Sequence, residues 1–342
     1  MRLLLAVLLA LQVAAPKPVA FENIAAAAGV TFTHINGASA DKYLVETMGS
    51  GALFFDYDND GWIDLFLVDG GSIADNAVSS HARHRLFRNA GKGVFKDATE
   101  SSGIRHQEYG MGACAGDVDN DGRIDLYITN YGPNVLYRNG GNGVFTDVTR
   151  AAGVGLAGWS TSCAFLDIDG DGDLDLFVTN YLDAPKTNNR FCGDPQRRIR
   201  VYCHPLVYPA VANVLYRNDG KGAFTDVSAE TGLNKYLGNG LGVAVGDYDD
   251  DGKIDLVVTN LDLEMNSLYR GLGELVFTFT TPESGIGAAT LPFVGFGAVF
   301  LDFDNDTRLD LAFANGHIMD NAPQFRAGAT YAPFPELGKL TR

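Results

Sequence analysis

Short apolar runs alternate along the chain with acidic turns, and the alternation recurs. Asp-Leu-Phe-Leu-Val (64–68), Asp-Leu-Tyr-Ile-Thr (125–129), Asp-Leu-Phe-Val-Thr (175–179) and Asp-Leu-Val-Val-Thr (255–259) are apolar at consecutive positions. That is the pattern of a strand covered on both faces rather than one. Each run follows an Asp-rich loop, and each loop follows another strand-like segment, such as Ala-Leu-Phe-Phe at 52–55. Third and fourth segments come next. They read Asn-Val-Leu-Tyr-Arg-Asn at 134–139 and 213–218, then Val-Phe-Thr-Asp-Val-Thr at 144–149 and Ala-Phe-Thr-Asp-Val-Ser at 223–228. Gly-rich turns separate the two, as hairpins require. Four strands per unit, repeated, predict an all-β fold, a β-propeller of four-stranded blades.

Five Asp-loop units are visible, and small residues set their inner edge. Gly51, Gly112, Ser162, Gly242 and Gly297 stand five residues before successive loops, where the innermost strands crowd the axis. Near the N-terminus Phe21–Val30 repeats the pattern of Phe145–Val154, so a fourth-strand segment precedes the first blade. After Asn315 no third-strand motif follows. Incomplete closure of the ring is therefore expected.

The loops carry the candidate chemistry. Their carboxylates stand at positions one, three, five and nine: Asp56, Asp58, Asp60 and Asp64; Asp117, Asp119, Asp121 and Asp125; Asp167, Asp169, Asp171 and Asp175; Asp247, Asp249, Asp251 and Asp255; Asp302, Asp304, Asp306 and Asp310. Position six is Gly61, Gly122, Gly172 or Gly252, and Thr307 in the fifth loop. Hard oxygen donors on a sharp turn suit Ca2+. An EF-hand would need Glu at position twelve, where this chain has Leu67, Ile128, Val178, Val258 and Phe313. Asp, Asn and Gly also form plain turns. A turn alone has no use for a fourth carboxylate at position nine, repeated five times.

Charge follows from the loops. The net charge is −16, and the loops supply 20 of the 42 acidic residues, so the acidity reads as metal chemistry and argues against a nucleic-acid partner. Residues 1–18, with one Arg and a short apolar run, read as a signal peptide that leaves no stable membrane span after cleavage. The propeller is expected over 19–320 and an irregular tail over 321–342. Secretion would supply calcium and an oxidising compartment. Of the four cysteines, Cys192 and Cys203 share one loop and are expected to be bridged. Cys114 and Cys163 stand three and four residues before their loops and so point to opposite strand faces, and are expected to be buried thiols.

One interval is long: 80 residues separate Asp167 from Asp247. The extra chain lies between Asn180 and Asn213, joining second to third strand, and so must emerge opposite the Asp loops. It carries Arg190, Arg197, Arg198 and Arg200. With Tyr109 and Trp159, each eight residues before its loop, these form a candidate site for an anionic glycan or an extracellular protein loop. The competing reading has the arginines balancing an acidic protein and the rings packing blade to blade.

The units FFDYDNDGWIDLFLVDG, GDVDNDGRIDLYITNYG and NVLYRNGGNGVFTDVTRAAGV resemble the FG-GAP/VCBS repeats of the cartilage acidic protein 1 (ASPIC/UnbV-associated) family, over about residues 20–320. The resemblance implies a secreted, calcium-binding propeller, usually of seven blades, with loops related to those of the integrin α-subunit. Five Asp loops are fewer than usual and the ASPIC/UnbV segment is lacking, so a shortened or partial member is expected. There is no nucleophile elbow, P-loop or zinc-spaced cysteine set, and the six histidines are scattered. A non-catalytic binding or adhesion module is favoured, with a polysaccharide-cleaving propeller as the alternative.

Overall fold

Every Asp loop joins the two inner strands of an antiparallel meander, and the meanders stack side by side. The computed structural model describes residues 22–49, 51–73, 84–105, 108–316, 318 and 340–341. Segment 1–18, expected to be a signal peptide, and most of the tail lie outside them. Blade 1 comprises β1 (Ala52–Phe55), β2 (Asp64–Leu67), β3 (Arg85–Asn89) and β4 (Phe95–Asp97) in that spatial order. Blade 2 comprises β5 (Tyr109–Gly116), β6 (Asp125–Pro133), β7 (Val135–Asn139) and β8 (Phe145–Asp147). In blade 3, β9 (Ala157–Leu166) and β10 (Asp175–Asn180) are followed by an inserted hairpin, β11 (Cys192–Asp194) and β12 (Ile199–Val201). The blade then resumes with β13 (Val214–Asn218) and β14 (Phe224–Asp226). Blade 4 comprises β15 (Val243–Gly246), β16 (Asp255–Val258), β17 (Ser267–Gly273) and β18 (Val276–Phe279). Blade 5 has β19 (Val294–Leu301), β20 (Asp310–Gly316) and a two-residue third strand, β21 (Leu340–Thr341).

The blades meet through apolar layers, and neighbouring residues of one strand serve different layers. Leu126 and Ile128 pack with Phe55, Phe66 and Val68 of blade 1. Tyr127, between them, packs with Leu176 and Val178 of blade 3. This is why the second strands are apolar at consecutive positions. At the axis the inner strands nearly touch. A Cβ on Gly51 would lie 2.9 Å from Gly112 Cα, and one on Gly242 would lie 2.8 Å from Gly297 Cα, so side chains there would force the blades apart. Hydrogen bonds join blade to blade: Gly51 N–H donates to Met111 O, and Thr129 and Thr161 hydroxyls donate to Thr161 O and Gly240 O.

One expectation is corrected. Cys114 and Cys163 are not thiols but a disulfide, with a Cα–Cα distance of 5.7 Å. Their side chains do point to opposite strand faces, yet in a propeller the forward face of one blade meets the rear face of the next. The bridge therefore ties blade 2 to blade 3. The Cys192–Cys203 bridge is present as expected and closes the insertion.

Because β10 runs away from its Asp loop, the insertion leaves blade 3 at the opposite end. It folds back over the axis. Tyr202, Cys203 and Tyr208 join Leu44, Val45, Met48, Tyr109 and Trp159 in one buried cluster. The Asn189 side chain donates to Asp41 O and the Tyr202 hydroxyl to Glu46, fastening the insertion to the segment that precedes blade 1.

Candidate metal centres

All five loops close in the same way. The carboxylate at position one accepts the N–H groups of positions five and six: Asp56 from Asp60 and Gly61, Asp117 from Asp121 and Gly122, Asp167 from Asp171 and Gly172, Asp247 from Asp251 and Gly252, and Asp302 from Asp306 and Thr307. Position six has positive φ throughout, Thr307 included at 74°, a region a β-branched residue enters only under strain. Position four is left-handed as well, and Asn59, Asn120, Gly170, Asp250 and Asn305 fill it, residue types that tolerate it.

Position nine anchors the loop to its blade. The carboxylates of Asp64, Asp125, Asp175 and Asp255 each accept one N–H from loop position two and a second from the third strand, at Asn89, Asn139, Asn218 and Gly271. Asp310 makes the loop bond alone among the described contacts, from Phe303 N–H. All five are at most 6% exposed. Burial raises Asp64, Asp125, Asp175 and Asp255 to about 6 against their accepting bonds.

Three carboxylates converge in every loop. Asp56, Asp58 and Asp64 offer oxygens within 4.8 Å of one another, as do Asp117, Asp119 and Asp125, and Asp167, Asp169 and Asp175. In the last two loops positions one, three and five converge instead: Asp247, Asp249 and Asp251, and Asp302, Asp304 and Asp306. In the first three loops the Oδ1 atoms of Asp58, Asp119 and Asp169 are buried with no hydrogen-bond partner. A buried, unpaired carboxylate oxygen among two others is costly unless a cation lies between them, so the residues present fit a hard divalent ion.

The arginine of the third-strand motif turns back onto the loop, a role its strand period alone does not disclose. Arg88 pairs with Asp58 and Asp60 at 2.5 and 2.6 Å, Arg138 with Asp119 and Asp121 at 2.7 and 3.6 Å, and Arg270 with Asp249 and Asp251 at 2.6 and 2.9 Å. Each grips positions three and five of its own loop. Its signal was the fixed place of Arg in Leu-Phe-Arg and Leu-Tyr-Arg, which periodicity alone files as a solvated position.

A family model described as FG-GAP-like repeat matches residues 56–128, 117–178, 206–258 and 247–313. The chain belongs to this FG-GAP-like repeat family. Cartilage acidic protein 1 from Xenopus tropicalis, Mus musculus and Homo sapiens is 33%, 32% and 31% identical over 113 residues, 30% of this chain. That match spans 16%, 16% and 15% of those relatives. An Agrocybe aegerita lectin that recognises non-reducing terminal N-acetylglucosamine aligns over 77% of this chain and 60% of its own, at 15% identity and TM-score 0.38. An exotype rhamnogalacturonan lyase aligns over 77% and 42%, at 17% identity and TM-score 0.37.

The FG-GAP matches skip residues 179–205, the part of the insertion that carries the arginines. Arg197 and Arg198 are exposed at the tip between β11 and β12, where Asp194 accepts the N–H groups of Gln196 and Arg197. Arg190 lies over the Tyr208 ring and Arg200 over Phe191, at 5.4 and 5.6 Å, and Arg200 donates to Arg190 O. Arg190 and Arg200 thus adjoin, while Arg197 and Arg198 occupy the hairpin tip. Tyr109 and Trp159 lie beneath the insertion, in the core at 4% exposure each. The Tyr109 hydroxyl donates to main-chain oxygens of Asn36 and Val45, and Trp159 sits edge-on between Tyr131 and Tyr181.

The position-nine carboxyls give the FG-GAP loops a pH signature. Their raised pKa means that the metal-free folded chain holds more protons than the unfolded chain between about pH 4 and 6, so its stability falls as pH rises through that window. Metal-stripped protein is expected to melt at a higher temperature at pH 5 than at pH 7. Calcium-loaded protein should do the reverse, because protons compete with the metal. Scanning calorimetry of both forms checks the two slopes, and parallel slopes would refute the assignment.

Proposed function

We propose that the protein is a secreted, calcium-binding propeller that acts as a non-catalytic extracellular binding or adhesion module. The observation that carries this reading is the sameness of the loops: five sites share one closure, and three share the same orphaned carboxylate oxygen. Catalytic metal sites keep an open position that sets them apart from structural ones. The loops themselves favour calcium, since they offer oxygen ligands alone on a turn of fixed geometry. Two disulfides fit an oxidising compartment. No helix among the described residues is long and apolar enough to cross a membrane.

Recognition is assigned to the insertion face, where Arg190, Arg197, Arg198 and Arg200 would meet an anionic glycan or an acidic protein loop. His204 Nδ1 accepts the Leu206 N–H, and its Nε2 stands 3.5 Å from Asp262. A glycan array with and without calcium, read for binding and for released product, tests the proposal. Replacing Arg197, Arg198 and Arg200 together by Ala is expected to weaken binding of a captured anionic glycan at least tenfold while leaving calcium binding unchanged. Undiminished affinity would move recognition off this face, and cleaved product would replace the binding module with an enzyme.

A further inference from the structure

The Asp loops of blades 1 to 4 close with the same hydrogen bonds, so they differ in charge rather than in rigidity. Besides the bonds to position one, position five in each accepts the N–H of position seven: Asp60 from Trp62, Asp121 from Arg123, Asp171 from Asp173 and Asp251 from Lys253. The charges around that common frame are not the same. Arg88, Arg138 and Arg270 grip positions three and five in blades 1, 2 and 4. Blades 2 and 4 add a second cation at position seven, where Arg123 pairs with Asp121 and Lys253 with Asp251. In blade 3 the counterpart of the gripping arginine, Arg217, is exposed and acts on Asp169 by charge alone, without an ion pair among the described residues. Position seven there is a fifth aspartate, Asp173.

An arginine beside a metal site can act in two opposite ways. It can aim a carboxylate at the ion, which strengthens binding, or cancel charge that the ion needs, which weakens it. Blade 3 decides between them. Asp58 and Asp119 give Oδ2 to their arginines and keep Oδ1 buried without a partner. Asp169 keeps the same oxygen buried with no arginine paired to it. The grip is therefore not what sets position three, and its effect falls on charge. The blade 3 loop keeps five negative charges. The blade 1 loop has four aspartates and one paired arginine, the blade 4 loop has five aspartates, Asp250 included, and two paired cations, and each keeps three; the blade 2 loop, with four and two, keeps two. Resting on the calcium reading above, we infer that the third-strand arginines and loop position seven grade the calcium affinities of the propeller, with blade 3 filling first, blades 1 and 4 next and blade 2 after them. Blade 3 also carries the insertion, so calcium locks the blade that presents the arginine face before it locks the neighbours.

Isothermal titration of the metal-stripped full chain with calcium in physiological salt tests this. The wild type is expected to show one site roughly tenfold tighter than the rest, lost in Asp169→Ala and kept in Asp119→Ala. Arg88→Gln and Arg138→Gln should each tighten one weaker site about tenfold, whereas Arg88→Lys and Arg138→Lys, which keep the charge, should stay within about threefold of the wild type. A role in packing alone would move the Gln variants the other way. Asp173→Asn, which can still accept the Asn120 side chain, should weaken the tight site about fivefold. Raising the salt to about 1 M should draw the sites together, since charge separates them. Circular dichroism melting in calcium checks that every variant folds. Equal sites in the wild type, a tight site that survives Asp169→Ala, a spread that salt does not narrow, or Gln variants that leave binding unmoved or weaken it would each overturn the inference while the calcium reading stands. A chain that takes up no calcium would remove both.

Discussion

Calcium chelation is expected to lower the melting temperature by roughly 15 °C. Each loop brings carboxylates within 4.8 Å of one another, and their repulsion falls on the folded state alone, since the unfolded chain can spread them. On the proposed reading, a bound ion reverses that penalty and binds the folded form selectively. At ten times its dissociation constant a site contributes about 1.4 kcal/mol, so the four glycine loops give roughly 6 kcal/mol, comparable to the stability of a whole domain. At a few degrees per kcal/mol for a chain of this size, the shift follows. The fifth site should contribute least, because Thr307 holds φ at 74° where the other loops have glycine. Thr307→Gly relieves about 1 kcal/mol and is expected to tighten that site about fivefold. Calorimetric titration and melting of both proteins check these values. A melting curve indifferent to chelator would remove structural calcium, and an unchanged fifth site would show that the loop accommodates threonine.

Removing the Cys114–Cys163 bridge is expected to cost about 4 kcal/mol, from closure of a loop of about 50 residues in the unfolded chain. The bridge spans a sequence separation of 49 and joins two blades, so its loss also loosens a packed interface. The double variant Cys114→Ala, Cys163→Ala fills the site with small apolar groups and should lower the melting temperature by about 10 °C. The Cys192–Cys203 bridge closes a separation of 11 within the insertion. Its loss should cost less, about 3 kcal/mol by the same closure argument, and expose the hairpin to proteolysis. Denaturant titration of both double variants separates the two roles. A loss under 1 kcal/mol for the first would show that blade packing alone holds blades 2 and 3 together.

The sequence by itself determined the blade and the loop. Consecutive apolar positions from Leu126 to Ile128 declare a strand covered on both sides, and carboxylates at one, three, five and nine declare a closed oxygen-rich turn, because both signals are local and repeated. Gly51, Gly112 and Gly242 announced the axis, since only close backbone approach demands such residues there. What lay across blade boundaries was decided by the tertiary structure. Cys114 and Cys163 point to opposite strand faces, and only the stacking of one blade's forward face on the next blade's rear face turns opposition into contact. Tyr109 and Trp159, which spacing alone had set beside the arginines, were buried when the insertion and the segment before blade 1 folded over the axis. Arg88, Arg138 and Arg270 gained their role only when β3, β7 and β17 folded back beside their own loops. Strand period fixes which way a side chain points, and the packing of blade on blade fixes what it meets.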